Sequence, residues 1–176
     1  MKKIIIAIDS FKGCLTSAEA GKAAEKGIKS INPSCHTSVI PIADGGEGLL
    51  DVLITATKGK YITLSAHGPL MKMAKTHYGL SGNGRTAIIE MAAISGLPLV
   101  PIEQRNPMLT TTFGTGELIK DALNKGCRNF IIGIGGSATN DAGLGMLQAL
   151  GFRFLDKSGH TLGTGGQIME AVANID

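Results

Sequence analysis

The apolar run Asn129-Phe-Ile-Ile-Gly-Ile134 leads straight into Gly-Gly-Ser-Ala-Thr-Asn-Asp-Ala-Gly-Leu-Gly145, and Met146-Leu-Gln-Ala-Leu150 follows before Gly151. An apolar β-branched stretch, a glycine turn and an amphipathic stretch closed by glycine predict a strand, a tight connection and a helix, which limits the chain to an α/β architecture. Glycines let backbone N–H groups approach an anion, and a helix start adds partial positive charge, so phosphate is the natural guest. Ser137, Thr139, Asn140 and Asp141 bring hydroxyl, amide and carboxylate groups that position phosphate or hold Mg²⁺. A glycine loop with a Thr, Asn or Asp helix cap and no ligand fits the same residues.

The length of 176 residues suits one large domain, or one domain and part of another. Aromatic residues make up 4% of the chain, with no Trp, too few for base-stacking on nucleic acid. The net charge of +3 is dispersed, with no basic run, so neither a nucleic-acid partner nor a membrane surface is expected. Cys14, Cys35 and Cys127 are odd in number and lack metal-ligand spacing, which predicts reduced thiols in a cytoplasmic protein. Met1-Lys-Lys before Ile4–Ile8 imitates the start of a secretory leader, but the apolar run is short and Asp9 ends it.

Ile4–Ile8 predicts a strand covered on both faces, delivering Asp9, Ser10 and Lys12 to its carboxyl end, where open parallel sheets bind ligands. Thr16-Ser-Ala-Glu19 predicts a capping box and a helix with Ala20, Ala23, Ala24, Gly27, Ile28 and Ile31 on its buried face. His36–Ile42 predicts a second strand, whose end carries Asp44, Gly45, Gly46 and Glu47 into a helix running to about Thr57. Carboxylates at neighbouring strand ends suit Mg²⁺ coordination or general-base work, whereas a plain turn with a charged helix start explains them without a ligand.

From Lys58 the pattern changes to short strand candidates at 61–64, 75–78 and 85–90, predicting a mixed or antiparallel sheet and a domain boundary near residue 57. Gly79–Thr86 imitates a P-loop but reads as a hairpin tip. A short helix at 90–96 and a helix entered through Thr110-Thr111-Thr112 follow, with Gly126 just past its end. After the central loop, Phe152–Asp156 predicts a strand and Gly165–Ala173 a helix.

Four segments together carry a resemblance: Asp9-Ser-Phe-Lys-Gly13, Pro41-Ile-Ala-Asp-Gly-Gly-Glu-Gly48, Asn106–Ile119 and Gly133-Ile-Gly-Gly-Ser-Ala-Thr-Asn-Asp141. In that order the chain resembles the bacterial glycerate kinase family, the type I enzymes that phosphorylate D-glycerate with ATP. Cys14, Leu49 and Ala142 depart from the family's usual serine, threonine and glycine. The resemblance implies the start of a Rossmann-like parallel sheet domain over residues 1–57, a second mixed α/β domain inserted at 58–176, and an active site in the cleft between them. Family members are about twice as long, so it also implies an N-terminal half, expected to work with a complementing C-terminal half or as a homo-oligomer. The implied cofactors are ATP and Mg²⁺, and the product is 2-phosphoglycerate. Gly135, Gly136 and Ser137 would bind nucleotide phosphates, Asn140 and Asp141 would hold Mg²⁺ or the phosphoryl group, and Lys12 would offset negative charge. Asp9, Asp44 or Glu47 would supply the base or second metal contact, while Ser10, Gly45, Gly46, Thr111 and Thr139 complete the candidate set.

Two other readings fit the same residues. Gly133-Ile-Gly-Gly-Ser-Ala138 fits a G-x-G-x-x-A dinucleotide fingerprint, with Asp156 some eighteen residues on as the ribose-binding acid. Alternatively the chain is a non-catalytic half that folds or functions only with its complement.

Overall fold

The computed structural model describes residues 3–176, leaving Met1 and Lys2, and with them the start of the leader-like run, outside the described residues. β1 (Lys3–Ile6) pairs in parallel with β2 (His36–Val39) through α1 (Ser17–Ile31). The Thr16 capping box forms on both sides: Glu19 N donates to Thr16 Oγ1 at 3.2 Å and Thr16 N donates to Glu19 Oε2 at 2.8 Å. Two expectations fail here. Ile6 is buried but Ile5 is 60% exposed, because α1 covers one face of the two-stranded sheet and the other is bare among the described residues. On α1 only Ser17, Ala20 and Gly21 are buried, while Ile31 is 87% exposed. A 15-residue helix runs about 22 Å and a four-residue strand about 13 Å, so the later turns of α1 overhang the sheet.

The second sheet is the core of the molecule. β3 (Lys60–His67), β4 (Met73–Leu80) and β5 (Thr86–Glu90) run antiparallel, and β6 (Asn129–Gly133) joins β5 in parallel, giving the order β3-β4-β5-β6. The Gly79–Thr86 segment turns β4 into β5 as a hairpin, with Gly84 N donating to Ser81 O at 2.8 Å, so its P-loop likeness is accidental. One face carries α2 (Leu49–Thr57), whose Leu50 and Ile54 pack over Ile88. The other carries α4 (Phe113–Asn124), whose Leu118, Ile119 and Ala122 close over Ala66, Tyr78, Ala87 and Ile89. Period-2 alternation along β5 is lost because both faces are covered, leaving Ala87, Ile88 and Ile89 all buried. α3 (Ala92–Ser95) follows β5, and α5 (Leu144–Leu150) follows β6 and packs beside α4.

The C-terminal segment departs from expectation. β7 (Phe154–Leu155) pairs antiparallel with β8 (Asn174–Ile175) in a separate small sheet, and the helix expected at 165–173 is a 3₁₀ turn over Gly166–Ala171. Dinucleotide binding requires β7 to lie parallel beside β6, with its terminal acid at the same edge. Instead Asp156 accepts from Ser158 N and His160 N within its own turn, and that reading falls.

Gly116 shows how closely α4 and α5 approach: a Cβ there would lie 2.3 Å from the Met146 carbonyl oxygen. Glycine is a poor helix former, but the close packing offsets that cost. Gly116→Ala is expected to force the helices apart and cost about 1–3 kcal/mol, read as a lower denaturation midpoint at unchanged m-value.

Candidate functional site

A cleft of about 780 Å³ opens between the loops leaving β1 and β2 and the ends of β5 and β6. Its volume is that of a small-molecule site. Lys12 and Ser10 come from the first loop, Asp44, Gly46 and Glu47 from the second, and Gly135 and Gly136 from the loop after β6. These segments are far apart in sequence. Ser17 ties the first two: its buried hydroxyl donates to Ile8 O at 2.6 Å and accepts from Ile42 N at 3.0 Å.

The second and third loops touch through their glycines. Gly135 N donates to Gly45 O at 3.1 Å, and a Cβ on Gly135 would lie 2.6 Å from Gly46 Cα. A Cβ on Gly133 would come within 2.5 Å of Gly45 O. Glycine is required here for backbone-to-backbone contact, and the amide of Gly135, expected to cradle phosphate, is already used by Gly45. Asp44 Oδ1 accepts from Gly46 N at 3.0 Å, an Asx turn that fixes the loop and leaves the Asp44 side chain exposed beside Glu47.

The remaining candidates lie elsewhere. Asp9 is half-buried, accepts from Ser10 N at 2.7 Å and does not line the cleft. Ser137 and Thr139 share a 2.6 Å hydroxyl contact within their own turn, and Asn140 is exposed; the cleft lining on this loop ends at Gly136. The largest correction concerns Asp141 and Thr111, both buried and away from the cleft. The Asp141 carboxylate accepts from Thr111 Oγ1, from Thr112 N and Oγ1, and from Gly143 N and Gly145 N, at 2.8 to 3.2 Å. Its oxygens are saturated by the starts of α4 and α5, where unpaired N–H groups require an acceptor. Asp141 is therefore a clasp between two helices, with no lone pair aimed at a metal. Ala142, where the family pattern has glycine, takes φ of 52° beside this clasp.

Sequence reasoning missed the cleft's far wall. Glu90, at the carboxyl end of β5, accepts from Leu50 N at 3.3 Å, and the nearby Gly48 N–H also favours its charged form. Asp51 accepts from the Tyr61 hydroxyl, and that bond is the main reason the phenol is pushed up to about 12. His77 lies edge-on to the Tyr61 ring at 5.5 Å and also lines the cleft. The strand-end rule that singled out Asp9 would have found Glu90. Burial pushes the Glu90 carboxyl above its ordinary range, and the charges of Asp51 and Glu47 add to the shift against the two backbone donors. Among the described residues no three His, Cys, Asp or Glu side chains are grouped closely enough to hold a metal ion by themselves.

A mixed α/β protein with its cleft at strand ends, walled by carboxylates, a lysine and glycine loops, has the architecture of a small-molecule enzyme. Residues 4–176 match the family model described as the glycerate kinase family, and the chain belongs to that family. It is 54% identical over 174 residues to a glycerate kinase of Bacillus subtilis (strain 168), covering 99% of this chain and 46% of that protein. With a glycerate 2-kinase of Escherichia coli (strain K12) the identity is 49%, again over 99% of this chain and 46% of the relative. A crystal structure from Salmonella typhimurium LT2 assigned to a glycerate kinase 2 superposes with a TM-score of 0.86 at 48% identity, covering 99% of this chain and 47% of that one. The chain thus spans about half the length of the curated relatives it matches.

Two outcomes follow from the geometry. Asp141→Ala leaves several buried donors without an acceptor and is expected to cost at least about 3 kcal/mol, measured by chemical denaturation. For Glu90 the folded state favours the protonated carboxyl, so its contribution to stability is greatest in acid and falls as pH rises from the ordinary glutamate range through the raised value. Glu90→Gln is expected to raise Tm at neutral pH and to lose that advantage below the ordinary carboxyl range.

Proposed function

We propose that this chain supplies the first part of a glycerate kinase active site, in which the γ-phosphoryl group of ATP passes to a hydroxyl of D-glycerate, giving 2-phosphoglycerate. The carrying observation is the cleft, which gathers Lys12, Asp44, Glu47 and Gly136 from three loops of a chain that belongs to this family. The relative named glycerate 2-kinase supports the position of transfer. The glycerate hydroxyl oxygen bonds to the γ-phosphorus as the bond to the bridging oxygen of ADP breaks, and the hydroxyl proton passes to Asp44 or Glu47. Both carboxylates are exposed in the cleft and unconstrained by a neighbouring helix clasp. Lys12 lies on the facing loop, where its ammonium offsets charge on the transferring phosphoryl group.

Mg²⁺ needs only one or two carboxylates when phosphates and waters complete its shell, so the hard oxygens of Asp44 and Glu47 fit it although no protein-only cage exists among the described residues. When bound, the ion neutralises the β- and γ-phosphates. Asp141, first assigned to the metal, has no part in this scheme.

The two-stranded sheet is, in this reading, the beginning of a Rossmann-like domain, and the four-stranded sheet belongs to the inserted one. We draw the boundary near Gly48 instead of residue 57, since α2 rides on β4 and β5. The bare face carrying Ile5 supports a complementing half, or a second copy, as the partner that completes the first domain. The reading places the chain in the cytoplasm; no helix among the described residues is long and apolar enough to cross a membrane.

The test is ADP release with D-glycerate, ATP and Mg²⁺, measured on the chain alone and again with the C-terminal half of a relative. Turnover in either arm supports the proposal, and turnover only in the mixture identifies a split site. Absence of turnover in both, with no rise in Tm on adding ATP, overturns it. Where turnover is seen, Lys12→Ala is expected to lower kcat by about 10²–10³-fold with Tm unchanged, because the side chain is exposed.

A further inference from the structure

We propose that Glu90 is a positioning residue, the acceptor through which the end of β5 locks the Asp44–Gly48 loop into the cleft. This rests on the kinase reading only for its effect on turnover.

Helix α2 begins without a cap of its own. Its N-cap is Gly48, which has no side chain to accept from the first-turn N–H groups, and no side-chain cap bond is formed there. Those donors need an acceptor from elsewhere. Gly46 O accepts from Leu49 N at 3.3 Å, and Glu90 provides an acceptor from a different layer of the fold, receiving Leu50 N at 3.3 Å with the Gly48 N–H close enough to favour its charged form. The two partners are separated by 40 residues, so the interaction is tertiary.

The same strand ends grip the other side of the loop. Glu90 is the register partner of Gly133, and Gly133 lies so close to Gly45 that a Cβ would come within 2.5 Å of its carbonyl oxygen. Gly135 N then donates to Gly45 O at 3.1 Å. The β6 strand end and the loop after it hold residues 45 and 46, and the β5 end holds residue 50 with the Gly48 N–H beside it. Asp44 and Glu47 lie beside and between these anchors and line the cleft. Placing a charge where burial, Asp51 and Glu47 all disfavour it costs stability, a pattern common at functional sites. A neutral acceptor would satisfy the same donors.

Amide hydrogen exchange on the full chain, resolved by residue, tests the inference without relying on activity. In Glu90→Ala the Gly48 and Leu50 amides are expected to exchange about tenfold faster, the factor of one net hydrogen bond, while amides in β4 and α4 keep their protection. Glu90→Gln, which retains an acceptor oxygen, is expected to restore most of that protection. If Glu90→Ala does not fold, Glu90→Asp, whose carboxylate is drawn back by one methylene, is expected to show the same selective loss. Unchanged exchange at Gly48 and Leu50, or equal loss in the Gln variant, overturns the proposal.

In the wild-type assay that shows turnover, Glu90→Ala is expected to lower kcat by about 10²-fold, with KM values within about threefold, and Glu90→Gln to recover at least about a tenth of wild-type turnover. A Gln variant as inactive as the Ala variant gives Glu90 a chemical role and overturns the positioning role. Absence of wild-type turnover in both arms defeats the kinase reading and leaves the exchange result to decide this one.

Discussion

A buried carboxylate holds the second half of this structure together. Asp141 is 1% exposed, yet its charge is met by five donors drawn from the threonine loop and from the starts of α4 and α5. Helix starts leave N–H groups unpaired and carry partial positive charge, so one anion between two of them satisfies both at once. Thr112 Oγ1 in turn accepts from Met146 N, extending the clasp into α5. Because α4 also seals the main core over β3, β4 and β5, this group ties the end of the β6–α5 loop to that core, while Ala138 N to Ser95 O and Gly135 N to Gly45 O hold its earlier part.

The cleft depends on a different economy. Its walls are held by backbone contact between glycines at 45–46 and 133–135, which no side chain could join without pushing the loops apart. The side chains set free by that arrangement are charged: Lys12, Asp44, Glu47 and Asp51 face open space, and Glu90 stands half-buried among them. A region that gathers carboxylates at the cost of stability and leaves its lysine unburdened is organised for a polar ligand. The chain that carries this cleft belongs to the glycerate kinase family.

Motif reading succeeded where the required interaction is local. The Thr16–Glu19 capping box, the hairpin at 81–84 and the glycine beyond α4 were legible because each bonds within a few residues of itself. It gave no sign that Asp141 and Thr111 would be buried away from the cleft or that the Gly135 amide would pair with Gly45, because glycine, carboxylate and hydroxyl groups in a loop after a strand serve a phosphate and a neighbouring loop equally well. Glu90 and His77 were passed over because a strand end gives no sign of which partner will face it.

Residue order alone determined the α/β alternation, the mixed character of the second sheet, the arrival of acidic and basic groups at successive strand ends, and the family. Those properties follow from hydrophobic periodicity, backbone freedom at glycine and short-range capping, all of which act within a dozen residues. Only the tertiary structure decided which of two carboxylates would face solvent and which would be buried. Asp44 and Asp141 both follow strands in glycine-rich loops, but Asp141 meets two helix starts brought together by packing, whereas Asp44 meets a cleft. A charge's surroundings are set by elements remote in sequence, and their convergence is a property of the packed chain.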